Sequence, residues 1–134
     1  MTTVHANTSR DGLARIENMV SMAGLGLPIS AIRTQIRSAI NIVVHLARLA
    51  GGKRCVTTIA EITGIEGDVI CMQDIFQFRQ SGVGTDGHAQ GQFVACGVRP
   101  QVAERLVVAG MELPRKLFER RLLYVSSSQE EKEH

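Results

Sequence analysis

The sequence predicts an α/β fold, and three observations predict it. Apolar residues recur at helical spacing over the first third of the chain, the pattern changes near Arg54 to runs rich in Val, Thr and Ile, and turn-forming Gly and Asp residues separate those runs. At 134 residues the chain has the length of one domain able to bury a core. With 44% hydrophobic and 21% charged residues it reads as globular rather than disordered.

The elements follow in order. Thr2 to Ala6 is β-branched and alternating, which is compatible with a short strand. Asn7 or Thr8 offers an N-cap, and Asp11 stands three residues after Thr8 in a capping-box-like arrangement. Leu13, Ile16, Val20 and Ala23 then repeat at helical spacing up to Gly24, which predicts a helix over residues 8–23. Pro28 suits the first turn of a second helix. Ile29, Ile32, Ile36, Ile40, Val43 and Ala47 carry the strongest periodicity in the chain, so this helix is predicted over 28–49, ending at Gly51-Gly52.

Beyond that point the period changes. Strands are predicted over 54–63, 69–78 and 92–98, joined by a turn over 64–68 and by the Asp86-Gly87 step. Together they form an antiparallel three-strand meander. Pro100 opens a short helix to Ala109, Leu113-Pro114 breaks it, and another short helix is predicted over 115–123. Residues 126–134 read as a polar, mobile tail, leaving 1–125 as the domain.

Composition excludes several function classes. No apolar run reaches the ~18–20 residues that span a bilayer, and the start lacks the basic and apolar regions of a secretory signal. Cys55, Cys71 and Cys96 form neither a close pair nor a metal-like spacing, so buried thiols in a reducing, cytoplasmic compartment are expected. His45, His88 and His134 show no ligand spacing, and no metal site is expected. Aromatic residues make up only 4%, and a net charge of +2 is small, which argues against a nucleic-acid partner. Cations dominate residues 1–54 and acids dominate 55–98. That split suits contact between subunits or an anionic ligand, and equally an ordinary varied surface.

Gly82-Val83-Gly84-Thr85-Asp86-Gly87 matches a dinucleotide-binding pattern, but that chemistry needs a helix to follow, whereas here a strand is predicted. The segment reads as a hairpin. No G-x-x-x-x-G-K-[ST] phosphate loop occurs, because the sole Gly-Lys step, Gly52-Lys53, continues with Arg54. His5 sits between a candidate strand and a helix start, flanked by Thr3 and Asn7. Such a position can present a hydrogen bond to a phosphate oxygen, with an incidental exposed histidine as the alternative. Arg33, Arg37 and Arg48 fall on one side of the predicted long helix, to meet phosphates or acids on a neighbour or simply to face water.

Thr2-Thr3-Val4-His5-Ala6-Asn7, followed by Arg10-Asp11 and Leu13, resembles the histidine box of the type II/type IV secretion ATPases. Glu17-Asn18-Met19-Val20, Gly24 through Pro28, Ile32-Arg33 and Ile36 are similar to the CpaF-type branch that powers tight-adherence (Flp) pili. So are Ile62-Thr63-Gly64, Glu66-Gly67-Asp68-Val69-Ile70, Gln73-Asp74-Ile75-Phe76 and Gly97-Val98-Arg99-Pro100. The likeness runs from Thr2 to about Phe118.

The resemblance implies that residues 1–125 are the C-terminal part of a RecA-like ATPase domain. In that family ATP and magnesium are the cofactors. The partners are homologous subunits in a ring, usually a hexamer, and an inner-membrane platform protein. Carried over, the histidine near the terminal phosphate is His5, with Thr3 and Asn7 positioning it. The family's phosphate loop and acidic motifs precede the histidine box and do not occur in these residues. The chain alone is therefore expected neither to bind ATP tightly nor to hydrolyse it. Helix positions Ile29, Ile32, Ile36 and Ile40 are expected to lose part of their cover.

Overall fold

A computed structural model describes residues 1–126. Two helices, α1 (Ser9–Met22) and α2 (Ile29–Ala39), precede strands β1 (Ile42–Arg48), β2 (Arg54–Glu66), β3 (Val69–Val83) and β4 (Ala89–Ala95). Helix α3 (Gln101–Val108), a 3-10 turn (Arg115–Leu117) and strand β5 (Arg121–Ser126) complete it. The five strands form one antiparallel sheet in sequence order, β1-β2-β3-β4-β5. The α/β expectation holds at this level. The expected three-strand meander is the middle of a longer one.

Helix α1 starts where its chemistry predicts. The Thr8 hydroxyl accepts from the Asp11 N–H at 3.0 Å, satisfying one of the free donors of the first turn. The helix predicted over 28–49 is corrected: α2 ends at Ala39, and Ile40 is already extended at φ −115°, ψ 122°. Ile40, Ile42, Val43 and Val44 are all β-branched and lose side-chain freedom in a helix, whereas a pleated strand accommodates them. The apparent helical repeat also conceals a period of two, because Val43, His45 and Ala47 share one face of β1. Gly51 and Gly52, expected as a helix stop, instead turn the β1–β2 hairpin, both at φ 85°.

Three further expectations change. Thr2–Ala6 is not a strand: no described strand pairs with it, and side chains hold it instead. The turn over 64–68 shortens to Gly67-Asp68, because β2 continues to Glu66. The helix over 115–123 is a single 3-10 turn after Pro114, followed by β5, whose Leu-Leu-Tyr-Val run favours extended backbone. The mobile tail expected over 126–134 lies, apart from Ser126 in β5, outside the described residues.

Both faces of the sheet carry cover. Adjacent residues alternate sides, so Val43 packs toward α1 and α2 while Ile42 packs toward α3. On the first side Leu13, Ile32, Ile36, Ile62 and Ile70 form a buried cluster. Ile32 is 2% exposed, so the cover expected to be missing from Ile32 and Ile36 is present, and Ile29 is the α2 position left open. On the second side Ile75, Ala103 and Phe118 form a smaller cluster, with the Phe76 and Phe118 rings 6.1 Å apart.

Glu61 pins the second side. It is 4% exposed on β2, and its two carboxylate oxygens accept from the Gln101 and Val102 N–H groups, each at 2.8 Å. Pro100 at the N-cap of α3 supplies no side-chain cap, so a carboxylate from another element caps the helix. The negative charge also lies at the positive end of the helix. Arg105 adds a second tether, donating to the Asn41 side-chain oxygen at 2.9 Å.

Candidate functional site

The segment before α1 is fixed by its main chain, not by its side chains. The Arg15 guanidinium on α1 donates to the His5 carbonyl oxygen. His45 on β1 bonds the Ala6 carbonyl oxygen through Nε2 at 3.3 Å. That oxygen can only accept, so Nε2 carries the proton. His45 Nδ1 meets the Thr57 hydroxyl at 2.8 Å. These contacts hold the segment near β1 and α1 while leaving the Thr3, His5 and Asn7 side chains exposed.

Between these parts lies a cleft of about 960 Å³. Met1 to Ala6, the first turns of α1 and the whole of β1 line it. Thr3 and His5 are therefore brought together on one cleft, and Asn7 stands outside its lining. Arg48 and Arg54 lie at the far end of the β1–β2 pair, directly opposite each other in the register. Among the described residues the lining holds no aspartate or glutamate. Its chemistry is that of a binding surface: hydroxyls, two imidazoles, two guanidinium groups and, among the described residues, the end strand of the sheet.

The other sequence candidates separate. Arg33 pairs with Glu17 across α1 and α2 at 3.0 Å and is structural. Arg37 remains on α2, but Arg48 sits on β1, where its Nε donates to the Gly52 carbonyl oxygen at 3.1 Å. The shared helical side predicted for the three arginines does not exist, because the helix ends before Arg48. Gly82 to Gly87 belongs to the β3–β4 hairpin: Gly84 N–H donates to the His88 carbonyl at 2.8 Å, and Asp86 accepts from the His88 N–H at 3.1 Å. No helix follows, so the loop lacks what pyrophosphate binding requires.

Among the described residues no three of His, Cys, Asp and Glu converge as a metal site. Burial raises the Cys55 and Cys96 thiols, with the Asp74 carboxylate adding to the effect at Cys96. A raised thiol pKa lowers the thiolate fraction, so neither is an activated nucleophile.

Sequence reasoning missed Glu61 and the β1 edge. The signal for β1 was present in the alternation from Ile42 to Ala47. For Glu61 no local signal exists, since its partners lie about forty residues away. No known family matches this chain, and no curated protein matches it.

Proposed function

We propose that the chain is the C-terminal part of a CpaF-type secretion or pilus-assembly ATPase, with His5 as its phosphate-sensing residue. The observation that carries this reading is the ordered series from Thr2-Thr3-Val4-His5-Ala6-Asn7 to Gly97-Val98-Arg99-Pro100. His5 is exposed and shares its cleft with Thr3, which supports a role for both toward one ligand. On this reading the antiparallel sheet belongs to the C-terminal portion of a RecA-like domain. Magnesium-ATP is held mainly by polypeptide carrying the phosphate loop. The assembly is a cytoplasmic ring beneath an inner-membrane platform protein.

His5 would donate to a terminal phosphate oxygen through a ring N–H, reporting whether that phosphate is present. Residues 1–134 lack the amide cradle and lysine that grip a triphosphate, so turnover needs polypeptide that carries them. That same lack favours a second reading, a non-catalytic module that docks onto intact ring subunits.

The test is reconstitution with the phosphate-loop half of a CpaF-type ATPase. The two pieces should co-purify and hydrolyse ATP together, with His5→Ala removing most of the turnover but not the association. Association without any His5-dependent turnover would favour the docking module. Failure to associate, or turnover by the isolated chain, would overturn both readings.

A further inference from the structure

The two carbonyl oxygens that follow the His5 side chain along the main chain are each held from another element. Arg15 on α1 donates to the His5 oxygen, and His45 on β1 donates from Nε2 to the Ala6 oxygen at 3.3 Å. The remaining hold is apolar. Val4 and Ala6 are half-buried against the buried Gly12 of α1. A side-chain carbon placed on Gly12 would lie 3.6 Å from Val4 Cγ1 and 3.7 Å from Ala6 Cβ. Val4 and Ala6 thus turn inward, and Thr3 and His5, which alternate with them, stay exposed on the cleft.

The two imidazoles of the cleft therefore differ in what they can do. His45 has both ring nitrogens occupied, Nε2 by Ala6 and Nδ1 by Thr57 at 2.8 Å. His5 is exposed, and its ring is the one left to meet a ligand. A bulge sets Thr57 against His45. The β1–β2 pairing runs from His45 with Thr58 to Leu46 with Val56, so Thr57 is the extra residue of β2. A bulge of this kind re-aims a side chain, and here the hydroxyl reaches the His45 ring. That hydroxyl has one hydrogen and lies 2.8 Å from Nδ1 but 3.3 Å from the His45 carbonyl oxygen. With Nε2 protonated, Nδ1 of a neutral ring can only accept, so the shorter contact takes the hydrogen. Thr57 thereby selects the tautomer whose N–H faces Ala6.

From this relay we infer that His45, oriented by Thr57, is a positioning residue for His5 in the phosphate-sensing role proposed above, on which the assignment rests. His45 touches no phosphate itself. Together with Arg15 it fixes the direction in which His5 enters the cleft. Misplacing a reacting group by about 1 Å costs up to roughly a hundredfold in rate, so losing one hold is visible in turnover. Every partner in the relay lies on this chain, and no second molecule is required to form it.

Two measurements test this. In the full chain alone, ring-nitrogen NMR shifts should show His45 as the Nε2–H tautomer, and backbone relaxation should show an ordered His5 amide. His45→Phe keeps the ring and removes both nitrogens, and should set the His5 amide in motion. Thr57→Val removes the hydroxyl and should raise the share of the Nδ1–H tautomer. His45→Gln keeps an N–H for Ala6 and should restore order at His5. The second measurement is ATP turnover after reconstitution with the phosphate-loop half. There His45→Phe should lower kcat about tenfold or more with KM and association unchanged, and His45→Gln should recover most of it. An Nδ1–H ring in the wild type overturns the assignment. So does an ordered His5 or unchanged kcat in His45→Phe, or a His45→Gln no better than His45→Phe, and each leaves the ATPase reading in place. Absence of His5-dependent turnover with the wild type overturns that reading and the assignment together. If His45→Phe does not fold, Thr57→Val decides, and unchanged His5 order and kcat in that variant overturn the assignment.

Discussion

The two faces of the sheet are covered by different means. On one side two amphipathic helices lay a continuous stripe of Leu13, Ile32 and Ile36 onto Ile62 and Ile70, with Ile16, Val20 and Ile40 around them. On the other an eight-residue helix and a 3-10 turn cover only the region around Ile75, and Glu61 holds the helix in place. Beyond that cover Val44, Leu46, Val56 and Leu123 stay exposed. Burial of apolar area secures the first face. The second adds to its smaller apolar cluster the two hydrogen bonds to Glu61 and the Arg105–Asn41 tether, so small cover is supplemented by directional anchors.

Substitutions can break this contrast. The largest effect is expected for Ile62→Ala, which opens a cavity under α1 and α2 where relaxation is limited. A loss of about 3 kcal/mol should appear in urea unfolding with little change in slope. Glu61→Ala should cost about 2 kcal/mol, because two N–H groups in the first turn of α3 lose their charged acceptor. Its distinguishing sign is faster amide exchange across α3 than across α1. Thr8→Ala removes the α1 cap and should cost about 1 kcal/mol, read as a lower thermal midpoint. Leu46→Ser lies on the uncovered region and should stay within about 0.5 kcal/mol of wild type. A large loss at Leu46 would mean that this region is packed after all.

Much of the fold was legible because its causes are local. Thr8 and Asp11 mark the start of α1, Pro100 marks α3, and Asp86-Gly87 marks the β3–β4 turn, each within a few residues of its effect. The end of α2 was misread because Ile36, Ile40, Val43 and Ala47 satisfy a helical repeat, while the last two also satisfy a strand repeat. Helix propensity past Ala39 is too weak to outweigh pairing with β2. Likewise β5 follows from an edge that β4 offers to Arg121–Ser126, where local pattern suggested a helix.

At the candidate site the sequence placed Thr3, His5 and Asn7 in one short segment, and the structure sets two of them on a common cleft. The wall that the cleft shares with β1 could not be anticipated while Ile42 to Arg48 was read as helix.

The sequence by itself determined the class of the fold, the start of α1 and the β2–β3 and β3–β4 turns, since capping, backbone preference and side-chain period act over a few residues. Only the tertiary structure decided where α2 stops, that Glu61 caps a helix about forty residues away, and that Arg48 and Arg54 stand opposite each other on β1 and β2. Those outcomes depend on which distant segments lie together. Contacts of that range are set by packing the whole sheet rather than by any one stretch of chain.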